Sequence, residues 1–124
     1  MQASPVSRPA RVGTEVAHAL AGLIERRCAD PRLRLVTVTE VSMSPDLKCA
    51  RVMVSSADPM ADPESVLTVL RHAGSRLRHE LAAEIRLRVL PRLEFDWDNR
   101  GEQSARLEAL IARGLPPGDE EAEQ

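Results

Sequence analysis

The sequence predicts an α+β domain: a three-stranded sheet covered on one face by two long helices, in the order helix, strand, strand, helix, strand, with a small helix to close. Three observations predict it. Apolar residues return at helical spacing in two long segments, 10–28 and 66–85. β-Branched residues fill two adjacent runs, LRLVTVTEVSMS and LKCARVMVSS, with Ser44-Pro45-Asp46 between them. Residues 93–98, LEFDWD, alternate apolar and acidic without a flaw. A chain of 124 residues is the right size for one core.

Residues 1–9, with two prolines and two serines, predict a flexible arm. From Ala10, Val12, Val16, Leu20, Leu23 and Ile24 keep one helical face, with Arg11, Glu15, His18, Glu25 and Arg26 on the other. Asp30-Pro31 breaks that helix just after Cys28. The two β runs are joined tightly enough to pair as an antiparallel hairpin, since Pro45 pre-sets the turn dihedral. Val36 and Val38 share one phase of the first strand and Val41 and Met43 the other, which predicts a bulge or strong twist near Thr39-Glu40.

Asp58, Pro59, Asp62 and Pro63 mark a loop that opens the second helix. Its core line is Leu70, Ala73, Leu77 and Leu81 within LRHAGSRLRHEL. Gly74 and Ser75 are weak helix formers, so the segment Ala73-Gly74-Ser75 predicts a kink that divides one helix into two. A second reading stays open, in which Gly74 only permits close packing. Pro91 ends the cationic run RLRVLP. In the following strand Leu93, Phe95 and Trp97 should point inward, and Glu94, Asp96 and Asp98 outward. The last helix, about Glu102 to Ala112, should bury Leu107, Leu110 and Ile111, with GLPPG closing it.

A ferredoxin-like fold would need a strand before the first helix, and a double-stranded-RNA-binding domain would set all three strands between its helices. The order α-β-β-α-β instead predicts a KH-like domain of the second topological type. The expected organisation is an arm over 1–9, the domain over 10–113 and a disordered acidic tail over 114–124.

No apolar run is long enough to span a bilayer and no secretory leader opens the chain, so the expected location is the cytoplasm. Cys28 and Cys49 have the spacing of neither a metal site nor a disulfide framework. Glycine-rich phosphate loops, GxSxG elbows and HExxH pairs do not occur, and His18, His72 and His79 fall on exposed helix faces. Asp96, Asp98 and Glu102 read as outward strand and helix positions, not as convergent oxygen ligands. The chemistry therefore points to no enzyme, no catalytic residues, no metal and no cofactor.

Net charge is −2, but it is unevenly spread. Residues 1–93 hold fourteen basic and ten acidic side chains, whereas residues 94–124 hold three and nine. Between 71 and 92, six arginines (71, 76, 78, 86, 88 and 92) face only Glu80 and Glu84, too few acids for i,i+4 pairing to absorb them. A kink among these arginines would also free backbone N–H groups to meet an anion. Phe95 and Trp97 are the only aromatic residues and both are expected inward, so no platform exists for stacking bases. Recognition of nucleic acid would then depend on phosphates and shape.

Several motifs taken together resemble the ribosome-binding factor A family: RPARV at 8–12, ADPRL at 29–33, VTVTEVSMSPDLKCARVMVS at 36–55, the LRHAGSRLRHEL helix, and IRLRVLPRLEFDWDN at 85–99. The resemblance covers about residues 7–112. It implies a KH-like fold in which a kinked helix replaces the GxxG loop, which this chain lacks. It also implies a non-enzymatic factor that binds immature small (30S) ribosomal subunits through 16S rRNA and promotes late maturation and processing of that RNA, beside assembly GTPases. The family's kink reads Ala-x-Gly, whereas here glycine stands one position early, at Gly74. The expected RNA contacts are Arg71, Arg76, Arg78, Arg86 and Arg88 with the Ala73-Gly74-Ser75 kink, and secondarily Arg8 and Arg11. A monomer is expected. The alternative is a protein–protein adaptor that sets its basic helix on an acidic partner.

Overall fold

The computed structural model describes residues 7–114; the ends of the expected arm and tail, 1–6 and 115–124, lie outside the described residues. Helix α1 spans Arg8–Arg27, two residues into the expected arm. Ser7 caps it, its hydroxyl accepting from the Ala10 amide at 3.2 Å. Pro9 sits in the first turn, where its missing N–H costs nothing. A 3₁₀ turn over Pro31–Leu33 follows and buries Leu33. Asp30 starts that turn, accepting from the Arg32 amide and pairing with its guanidinium at 2.7 Å, and these bonds hold its carboxyl down at about 2.

Strands β1 (Val36–Met43) and β2 (Cys49–Ser56) form the antiparallel hairpin, and β3 (Arg92–Trp97) runs parallel to β2 in a sheet ordered β1-β2-β3. Parallel neighbours need a long crossover, which helix α2 (Pro63–Glu84) supplies between β2 and β3. The first strand has the expected bulge. Val38 pairs with Val54 and Glu40 with Met53, leaving Thr39 as the extra residue. One residue shifts the phase, so Val36, Val38, Val41 and Met43 all pack against the core. Thr37, Ser42, Arg51 and Glu94, on the intervening positions, are exposed.

Both long helices lie on the same face. Val16, Leu20 and Leu23 from α1, Val52 and Val54 from β2, and Leu70, Leu77 and Leu81 from α2 are almost wholly buried. α1 approaches β1 so closely that a Cβ on Gly13 would stand 2.6 Å from the Val41 carbonyl oxygen, so only glycine fits there.

Three expectations are corrected. α2 is α-helical without interruption through Ala73-Gly74-Ser75, so the helix is not divided and no terminus opens among the arginines. Energetics explain it: a glycine costs roughly 0.5–1 kcal/mol, whereas burying each flanking leucine, Leu70 and Leu77, gains about 1.5–3 kcal/mol. Close packing does not demand the glycine either, because a Cβ there would meet Phe95 at an ordinary 4.0 Å.

The last helix, α3 (Arg100–Ala112), buries no side chain; Leu107 is 39% exposed and Ile111 58%. Both long helices already fill the core face, so its apolar positions find no sheet to cover. Gly114, at φ 79, ends it as expected.

Asp98, expected outward, is buried. Its carboxylate accepts from the Thr39 hydroxyl at 2.6 Å and the Arg100 amide at 3.0 Å, and pairs with the Arg100 guanidinium at 2.6 Å. These donors hold the carboxyl far below the usual range, led by the Arg100 side chain. Arg100 also reaches Glu40 at 3.1 Å, so the bulge of β1 anchors the start of α3.

Candidate nucleic-acid interface

The expected contact residues divide by what their side chains do. Arg71 lies on α2 above β3 and donates to the Phe95 carbonyl oxygen at 3.1 Å. Arg78, two turns further on, turns its guanidinium to the loop after α2. Its Nη2 donates to the Leu90 carbonyl at 2.8 Å and its Nε to the Pro91 carbonyl at 3.0 Å. Arg76 is exposed, lies 3.5 Å from Glu80 and points a nitrogen at the Cys28 sulfur at 4.0 Å. Arg92 pairs with Glu94 at 3.0 Å. Ala73 and Gly74 are half-buried and Ser75 is exposed, all within an unbroken helix. The region expected to be most available to an anion thus has much of its charge already bonded.

The remaining four arginines come together. Arg8 and Arg11 from the first turn of α1 line a cleft of about 400 Å³ with Arg86 and Arg88 from the loop 85–91. Asp46 and Leu47 of the hairpin turn form its third side, and Val12, Leu87 and Val89 contribute apolar wall. All four arginines are exposed and none has a hydrogen-bond or ion-pair partner among the described residues. Among the described residues Glu15 and Asp46 are the acids of the cleft, so the side chains described there carry a surplus of two positive charges.

Each wall has a local cause. In RLRVL the residues alternate, so Leu87 packs against the core and turns Arg86 and Arg88 outward. In the turn, the Asp46 carboxylate accepts from the Ser44 hydroxyl at 2.7 Å and the Lys48 amide at 3.1 Å, which keeps it ionised. Leu47 then adopts φ 63, a region that leucine enters at a cost, while its side chain packs on the core.

Electrostatics at α1 run against helix stability. Cations are favoured at helix C-termini, yet the first turn of α1 has no acid and two arginines, on the end where the backbone dipole is already positive. Local rules broken in this way are characteristic of functional surfaces. The combination concentrates positive potential at one end of the sheet, the end where the hairpin turns and β3 begins.

A larger hollow of about 680 Å³ lies between α1 and β1, but among the described residues Arg34 is its only basic lining residue, opposite Glu25 and Asp30. His18, His72 and His79 are exposed and scattered. No group of three metal-ligating side chains occurs among the described residues.

The sequence profile described as ribosome-binding factor A matches residues 8–111, nearly the whole described body. The chain belongs to the ribosome-binding factor A family. Among relatives, the family member of Nitrosococcus oceani is 40% identical over 109 residues, which cover 88% of this chain and 86% of that one. The crystal structure of ribosome-binding factor A from Thermus thermophilus is similar at a TM-score of 0.66 with 37% identity, covering 73% of this chain and 96% of that one. The coordinates of the Thermus thermophilus family member fitted into a cryo-EM map of a 30S complex match at a TM-score of 0.63, 37% identity, and coverages of 73% and 94%. The KH-like reading of the fold agrees with these family structures. The described helices include none long and apolar enough to cross a membrane.

The cleft itself escaped the sequence reading, which ranked Arg8 and Arg11 behind the α2 arginines and passed over Asp46, Leu47 and Glu15. The alternation of Arg86, Leu87 and Arg88 was the available signal for half of it. Nothing in the sequence told that the start of α1 and the loop after α2 meet.

Proposed function

We propose that this chain is a non-enzymatic assembly factor that docks on the immature small ribosomal subunit, with Arg8, Arg11, Arg86 and Arg88 meeting phosphates of 16S rRNA. Family membership supports the partner, since a relative is known in a 30S complex. The observation that carries the site is the gathering around one cleft of four arginines with no partner among the described residues, two of them placed against the helix dipole. A guanidinium with no internal partner keeps all its donors for phosphate, and gains on binding by releasing condensed counterions. Phe95 is buried and Trp97 half-buried, which leaves recognition to backbone charge and RNA shape. Binding as a monomer at a late stage of 16S rRNA maturation, with release coupled to assembly GTPases, completes the proposal. Arg76, exposed on α2, stands apart from that cleft, beside Glu80 and the Cys28 sulfur at the far end of α1.

Sedimentation of a cell extract on a sucrose gradient tests the partner. The chain should travel with small subunits and be absent from translating ribosomes. Excess naked 16S rRNA should then strip it from those particles. Retention in the presence of the competitor would favour an acidic protein partner instead.

A further inference from the structure

Arg78 bears its charge on the same helix as the other arginines, but its donors are committed. The fork spans two successive carbonyls, Leu90 at 2.8 Å and Pro91 at 3.0 Å. Among the described residues, this fork supplies the hydrogen bonds to the backbone of 86–91; the flanking backbone bonds lie outside, from the Ile85 amide to Leu81 and from the Arg92 amide to Lys48. The loop has no regular structure of its own. Leu87 and Pro91 pack against the body, which fixes the loop's depth; the fork fixes the path of the chain leaving Arg86 and Arg88.

We infer that Arg78 is a positioning residue of the RNA site: its planar guanidinium clamps the Leu90 and Pro91 carbonyls and so aims Arg86 and Arg88 across the cleft at Arg8 and Arg11, without itself touching phosphate. The inference rests on the proposed role of that cleft. Lysine cannot replace arginine here, because an ammonium group does not present two parallel donors in a fixed fork.

The test measures binding of the full chain to naked 16S rRNA across a salt series, for Arg78→Lys, Arg78→Gln, Arg86→Gln/Arg88→Gln, and Arg78→Lys added to that double variant, with thermal melts to confirm folding. Arg78→Lys keeps the charge, yet should lower the salt slope by about 0.7 to 1.8, the worth of one to two phosphate contacts. Arg78→Gln should match it. On the Arg86→Gln/Arg88→Gln background, Arg78→Lys should do nothing further to the slope, since nothing remains to be aimed. If Arg78→Lys binds as the unaltered chain does while Arg78→Gln loses one contact, Arg78 touches phosphate directly and the inference is overturned. A lowered melting temperature with an unchanged slope also overturns it, reducing Arg78 to a support of the fold. Failure of the cleft reading is separately visible, as an Arg86→Gln/Arg88→Gln variant that keeps the full slope.

Discussion

Arg71 and Arg78 on α2 and Arg86 and Arg88 in the loop that follows are the same residue type within eighteen positions, yet the structure uses them in opposite ways. The α2 pair reaches carbonyl oxygens of β3 and its approach, whereas the loop pair faces a cleft with no acceptor of its own within bonding distance among the described residues. Charge written in a sequence is therefore not charge available to a ligand. What decides is whether a backbone carbonyl or a carboxylate lies within reach of the guanidinium, and that depends on the neighbouring element. Arg100 makes the same point at the other end of the sheet, absorbed by Asp98 and Glu40.

That contrast can be broken by substitution. Removing all four cleft charges (Arg8, Arg11, Arg86 and Arg88 to Gln) should have the largest effect, lowering the salt slope of 16S rRNA binding by about 2.8 to 3.6. A slope reduced by less than one contact would dissolve the distinction. Gly13→Ala acts on the cleft indirectly. Its Cβ would collide with the Val41 carbonyl, lifting α1 and with it Arg8 and Arg11. Denaturant titration should show a loss of about 1–3 kcal/mol, accompanied by weaker RNA binding.

Arg71→Gln sharpens the other side of the comparison. It should cost about 1 kcal/mol of stability by removing the bond to Phe95, and leave the salt slope unaltered. Gly74→Ala should stabilise by roughly 0.5–1 kcal/mol and likewise leave the slope alone, because the helix is already continuous there. A variant that gained stability but lost RNA binding would show that the glycine serves binding through flexibility.

The smallest expected effect concerns pH. Asp98 has a lowered folded-state pKa, so unfolding takes up a proton as the pH falls below about 4, where the free carboxylate titrates, and the stability it contributes is lost progressively below that. The melting difference between the unaltered chain and Asp98→Asn should be full at pH 7 and shrink as the pH is lowered from 5 towards 2. A difference constant over that range would mean the Arg100 pairing adds nothing.

Much of the fold was legible because it is periodic. Helical spacing gave α1 and α2, alternation gave β3, and the phase slip between Val38 and Val41 announced the bulge at Thr39. Non-periodic features were not. Leu107, Leu110 and Ile111 have the spacing of a buried face, but burial needs an unoccupied surface opposite, and pattern alone carries no record of the two helices already there. Asp98 occupies an outward phase, and only the arrival of Thr39 and Arg100 encloses it. Gly13 looked unremarkable because its constraint is a carbonyl twenty-eight residues away. The cleft was invisible for the same reason, since its walls come from three separated stretches of chain.

Arginine-specific dicarbonyl labelling, read residue by residue with and without bound small subunits, tests the division of labour most directly. Arg8, Arg11, Arg86 and Arg88 should react readily in the free protein and become protected on binding, while Arg71 and Arg78 react slowly in both states. Protection centred on Arg71 and Arg78, with the four cleft arginines equally reactive in both states, would contradict the account.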